Sequence, residues 1–154
     1  MSFVKSQKGA STIGWLIFLV ILGVAIHIGY KLGMPYLRYS NLKGKMEAQA
    51  KLAATESDTS IATTLSQDAL ENKIPLVGDF FSSDSKPVPT TEEEKGEYLK
   101  GAKSAFLSAI NRFPGDSIII SLSYEMDVNF SILGQHLHKQ HLVFQPRVAE
   151  LLGK

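Results

Sequence analysis

At 154 residues the chain has room for one membrane segment and one small domain of about 100 residues, enough to bury a modest core. Its net charge of +1 hides a division: residues 1–45 carry six Lys or Arg and no acid, whereas residues 46–154 carry ten against all fifteen acids. The mildly acidic distal part lacks the cationic face that nucleic acid requires, and the absence of cysteine excludes a disulfide framework and a thiolate zinc site.

The chain opens with a short basic segment, residues 1–9, that carries Lys5 and Lys8. Between Lys8 and Lys31 lie 22 residues with no formal charge, about 33 Å of helix, which matches a hydrocarbon core of about 30 Å. The pattern predicts a transmembrane helix over 10–33. The run exceeds the apolar part of a secretory signal, and Lys31, Arg38, Lys43 and Lys45 stand where a small-residue cleavage site would be needed. Trp15 near one end and Tyr30, Tyr36 and Tyr39 at the other fit two interfacial aromatic belts.

The basic residues after the span outnumber those before it, so the positive-inside count alone puts the C-terminus in the cytoplasm. Long domains translocate largely regardless of charge, however, and the cysteine-free polar domain is compatible with export. Ala25, Gly29 and Gly33 recur every four residues, as do Ala10 and Gly14, a spacing that lets a second helix approach closely in lipid. Small residues are also common in membrane helices for no such reason. His27, near this face, reads as a residue that snorkels or bonds a neighbouring helix.

Pro35 is expected to kink the helix or begin a new one. A helical stalk follows, drawn broadly over 34–57 with its helix from about 36 to 55, and Leu42, Met46 and Ala50 or Ala53 fall on one stripe. The remainder, 58–154, reads as a small α+β domain. Its first helix is expected to start at a cap on Thr59 or Ser60 and to bury Ile61, Leu65, Ala69 and Leu70. "IPLVGDFF" is a brief apolar piece, and a Ser- and Pro-rich loop near 82–90 follows.

Thr91 and Glu94 form a capping-box pattern, after which Tyr98, Leu99, Ala102, Phe106, Ala109, Ile110 and Phe113 keep helical spacing until "FPGD". In "SIIISLSYEMDVNFS" Ile118, Ile120, Leu122, Tyr124, Met126, Val128 and Phe130 all fall on even positions, which predicts one long strand. Gly134 marks a turn, and "HLHKQHLVFQP" returns as an antiparallel strand ended by Pro146. The expected fold is thus an N-terminal transmembrane helix continuing into a stalk, with helices packed on an antiparallel hairpin or sheet.

Three histidines, His136, His138 and His141, fall within six residues. On a strand the first two share a face and suit a transition metal, while His141 points away unless a bulge intervenes. Without cysteine or an evident fourth ligand, a polar solvent-facing strand is the simpler reading. Ser83 and Lys86 match Ser-x-x-Lys but lack its companion motifs, and Glu92, Glu93, Glu94 and Glu97 suit a helix N-terminus. No catalytic motif, cofactor motif or small-molecule substrate is evident, and the reading is of a protein that is not an enzyme.

"KGASTIGWLIFLVILG" followed by "GMPYLRYSNLKGKM" resembles a family of short bacterial single-pass membrane proteins of unknown function, with a Thr-x-Ile-Gly-Trp start and a Pro-Tyr helix exit. "SYEMDVNFSILGQHLHKQHLVF" looks like that family's closing hairpin. The segment from "IPLVGDFF" through "SKPVPTT" is longer than the family usually has. More distantly, the basic leader, Gly9 and the apolar run are similar to type IV pilins and pseudopilins, in which a leader is cut after a glycine. Such a cut would leave Ala10 as the first residue and Gly14 as the fifth, where pilins carry a glutamate.

What the resemblance implies is an anchor in the bacterial inner membrane with its N-terminus inside and its distal domain periplasmic. The expected partners are the bilayer and a membrane protein or second copy held through the helix. The alternative is a minor pilin-like or pseudopilin-like subunit, and the third reading is a metal protein that uses the hairpin histidines.

Overall fold

The computed structural model describes residues 12–78, 80–82, 88–114, 117–132 and 135–152. Its fold is α+β. One helix, α1 (Thr12–Leu52), runs through Pro35 without interruption, so the proline neither ends it nor starts a second one. The first part of α1 stands clear of other protein atoms, whereas Leu42, Met46, Ala50 and Ala53, the predicted stripe, are buried at the centre of the domain. The stalk is therefore a core helix.

Helix α2 (Asp58–Glu71) begins earlier than expected, with Ser57 as its cap. The Ser57 side chain accepts from the Ser60 amide at 3.2 Å, and Asp58 places a negative charge in the first turn. The helix closes with Lys73 in the left-handed region at φ 54°, where Lys73 N–H donates to Leu70 and Ile74 N–H to Ala69. That turn buries Ile74 against the same core as Ala69.

Helix α3 (Glu92–Ala109) has both halves of the capping box: Glu94 N–H donates to the Thr91 hydroxyl, and the Thr91 N–H donates to the Glu94 carboxylate. It stops at Ala109, short of the expected Phe113. Ile110–Phe113 instead forms strand β1, because Ile110 turns extended and pairs across to Ile120. Ile110 and Phe113 keep the helical spacing of Phe106, but the sheet edge competes for the same residues and wins.

The long strand divides at Leu122 and Ser123. Strand β2 (Ser117–Ser121) lies between β1 and the C-terminal strand β5 (Arg147–Leu151), which the sequence pattern left unassigned. Strand β3 (Tyr124–Ile132) pairs with β4 (Gln135–Phe144) as a separate antiparallel hairpin. Leu122 N–H leaves the strand to donate to the Pro146 carbonyl at 3.1 Å. Two residues fill the break, so the even-position alternation survives it and Ile118, Ile120, Tyr124, Met126 and Val128 enter one core.

Helices α2 and α3 pack on each other, and α1 lies against both sheets. A second, smaller cluster of Phe81, Tyr98 and Ala102 packs Leu76, Val77 and Phe80 onto α3. The Tyr98 hydroxyl donates to the Ile74 carbonyl at 2.6 Å, which satisfies a fully buried phenol whose burial pushes its pKa up.

Candidate functional site

Ile13, Leu16 and every other large apolar residue of α1 up to Ile28 are exposed, and the most apolar window has a mean hydropathy of 2.2. A continuous band of this kind needs lipid or protein around it, because water leaves its apolar surface unburied. The same helix is long and apolar enough to cross a membrane. Gly14, Gly29 and Gly33 each have open space where a Cβ would stand, and Ala25 and His27 are exposed beside them. Gly9 and Ala10, between which a pilin-like leader would be cut, lie outside the described residues. So do Gly134 and the Ser83 to Lys86 motif.

The hairpin lies along α1 just past this band. Phe144 stacks on Tyr39 with centroids 5.4 Å apart and meets Tyr36 edge-on at 5.5 Å. Its cross-strand partner Tyr124 also stacks on Phe144, at 5.3 Å. Five residues further along β3, the Asn129 carbonyl accepts from Lys31 Nζ at 2.7 Å. Sequence reading placed the aromatic residues in a lipid belt; in the structure Tyr36 and Tyr39 hold the hairpin through Phe144.

On the hairpin's outer face a shallow cleft of about 570 Å³ is floored by Glu125, Asp127, Lys139 and His141 and walled by Pro75 and Ser82. Lys139 Nζ lies 2.8 Å from Asp127, and His141 bridges Asp127 at 2.9 Å and Glu125 at 3.3 Å through its two ring nitrogens. The Lys139 hydrogen bond, aided by His141, holds the Asp127 carboxyl below its ordinary value. Asp127 N–H donates to Ser82 O at 2.8 Å, tying the strand to the preceding loop. Asp127 is thus joined across the strands to both Lys139 and His141, which makes the floor a cross-strand brace. The Tyr124 hydroxyl is buried without a partner, and burial raises its pKa.

The strand pattern put His136 and His138 on one face and His141 on the other unless a bulge intervened, and the register shows such an irregularity. His141 faces Asp127 on the outer side, and His138 pairs with Phe130. The register shifts between Phe130 and Ser131, so His136 pairs with Ser131 and one extra residue separates the two pairs. Among the described residues no group of three His, Cys, Asp or Glu side chains could hold a metal ion.

Sequence reading missed the Lys31 to Asn129 contact, the Asp127 brace and Arg112. Arg112 donates to the Ala53 and Glu56 carbonyls and to Asp58, at 2.7 to 2.9 Å. Comparison with family models, with curated proteins and with solved structures gives no match. The resemblances of the N-terminal motif and the hairpin thus rest on those residues alone.

Proposed function

We propose that this chain is a non-enzymatic, single-pass membrane protein of the bacterial envelope. Its α+β domain is held outside the cytoplasm, and its helix assembles with a membrane partner or a second copy. The observation that carries this reading is the continuity of α1: an exposed apolar half and a buried half at the centre of the domain belong to one helix. Any contact that orients the helix in the bilayer therefore orients the domain. Gly14, Ala25, Gly29 and Gly33 offer the close approach that helix association in lipid uses.

The test uses the natural absence of cysteine. Full-length Gly29→Cys and Ile26→Cys proteins are expressed in native membranes and oxidised. Retention after alkaline carbonate washing, with a disulfide dimer or a cross-linked partner formed at Gly29 and not at Ile26, supports the reading. Release by carbonate, or equal cross-linking at both positions, overturns it. A pilin-like or pseudopilin-like minor subunit is the second reading, favoured by the single long N-terminal helix and the glycine at position 9. An intact mass that begins at Ala10 supports it, and a full-length mass rejects it.

A further inference from the structure

Two contacts on the outer edge of β3 fix which of its backbone groups point away from β4. Asp127 N–H leaves the hairpin to donate to Ser82 O at 2.8 Å, and Asn129 O accepts from Lys31 Nζ at 2.7 Å. At the other parity, Leu122 N–H points the opposite way, to Pro146 O at 3.1 Å. Backbone groups alternate sides along a strand, so the odd residues of β3 turn their N–H and C=O outward while the even residues bond β4. Asp127 with His141, and Glu125 with Val143, are then pairs without backbone bonds, whose side chains lie closest across the ladder. The 2.9 Å contact of His141 with Asp127 reflects this.

Ser82 and Lys31 take the far end of this edge. Nearer its start, the N–H and C=O of Glu125 and the C=O of Asp127 have no partner among the described residues. They open into the cleft of about 570 Å³, which every residue from Ser123 to Asp127 lines, about 13 Å of strand. Its walls are Pro75, Gly78 and Ser82, small side chains or none, which leave the width to an incoming backbone. On the floor, Asp127 is engaged by both Lys139 and His141, whereas the Glu125 side chain is 64% exposed and reaches only His141, at 3.3 Å. A second copy paired antiparallel about Glu125 or Met126 would set carboxylate against carboxylate, Glu125 on itself or on Asp127, which disfavours a self-paired edge.

We propose that the outer edge of β3, from Ser123 to Asp127, binds an extended peptide segment of another protein as an added strand, with a Lys or Arg of that segment set against Glu125. Main-chain bonds to Glu125 and Asp127 supply the affinity, and the cation opposite Glu125 supplies the selection. The bond from Asp127 to Ser82 is a contact of the same kind, made once by the chain's own backbone. The added strand continues it toward Ser123. Nothing in this contact draws on the apolar half of α1, so it holds whether or not that helix crosses a bilayer.

The experiment titrates the isotope-labelled full-length protein, in zwitterionic detergent micelles, with a short capped peptide that alternates threonine and lysine, and follows amide exchange by nuclear magnetic resonance. The expected result is slowed exchange at the Glu125 amide and none at the Val143 amide, which faces the outer edge of β4. A peptide with glutamate in place of lysine should bind about tenfold more weakly, and so should the lysine peptide to Glu125→Gln, a change on an exposed side chain. A lysine peptide whose backbone amides are N-methylated keeps its charge and should protect nothing. Absence of protection at Glu125 up to millimolar peptide, equal protection at Val143, equal binding of the lysine and glutamate peptides, or undiminished binding of the N-methylated peptide overturns the proposal.

Discussion

Arg112 closes the C-terminal end of the long helix by donating through Nη1 to the Ala53 carbonyl, 59 residues earlier, at 2.8 Å. Its Nη2 serves Glu56 O and its Nε serves Asp58 Oδ1, so one guanidinium joins β1, the end of α1 and the first turn of α2. Both carbonyls lie past Leu52, in the turn that leads from α1 into α2.

Replacing Arg112 with Ala is expected to destabilise the domain by about 1–2 kcal/mol, the modest end for charge-assisted bonds because the side chain is partly exposed. Arg112→Lys recovers little of this, since an ammonium cannot address three acceptors in the planar fork. Asp58→Asn costs less than either, as it leaves both carbonyl bonds in place. Urea denaturation of the full chain in detergent, followed by tyrosine near-ultraviolet circular dichroism, ranks the three. Equal losses for Arg112→Lys and Asp58→Asn would show that the ion pair, not the carbonyl capping, carries the effect.

The two halves of α1 predict opposite responses to one kind of truncation. Met46 is fully buried in the domain core, so Met46→Ala leaves a cavity and is expected to cost about 2–5 kcal/mol of domain stability. Leu19, 55% exposed, has no domain neighbours to lose, and Leu19→Ala changes the domain by less than about 0.5 kcal/mol. The same denaturation signal separates them, because Tyr98 and Tyr124 lie in the domain. A large loss from Leu19→Ala would mean that the apolar half supports the domain directly.

What the sequence made legible is what local rules decide. The capping box at Thr91 and Glu94, the stripe from Leu42 to Ala53 and the even-position alternation of β3 each follow from chemistry within a few residues. The losses came where a distant segment chose between two local options. Ile110 and Phe113 fit a helix or a strand, and Ile120 decided for the strand. The bulge hid the brace. A two-residue turn closing on Ile132 and Gln135 without it would set Asp127 against Gln140, whereas the extra residue beside Phe130 brings His141 there. The C-terminal strand was invisible because its partner β2 had already been assigned to the hairpin.

Two glycines on α3 are expected to respond to alanine with opposite signs. A Cβ at Gly101 would meet Val77 Cγ2 at 2.7 Å and Cγ1 at 2.8 Å, inside contact distance of a stiff β-branched side chain. Gly101→Ala should therefore cost about 1–3 kcal/mol, with most of it returned when Val77→Ala is added. At Gly96 nothing lies within 4 Å, so alanine only restricts the unfolded chain and should stabilise by about 0.5–1 kcal/mol. Thermal melts of the three variants test this, and a failure of Val77→Ala to relieve Gly101→Ala would place the strain elsewhere.

The brace on the hairpin predicts how the domain fails in acid. Asp127 is held below its ordinary value of 3.8, first by the Lys139 hydrogen bond and then by His141. The unfolded chain therefore takes up this proton at higher pH than the folded one. The contribution is fully present above the unfolded value and is lost as pH falls through the folded value. Glu94, lowered by the Thr91 and Thr90 amides, loses stability in the same sense in every variant, so the quantity to read is a difference between proteins. The stability gap between the native chain and Asp127→Asn should begin to close as pH falls toward the ordinary value of 3.8 and go on closing through the lower folded value. Lys139→Met, which removes the principal cause, should reduce the same pH-dependent part. A gap that stays constant to the acid limit would show that Asp127 braces the hairpin through its uncharged hydrogen bonds alone.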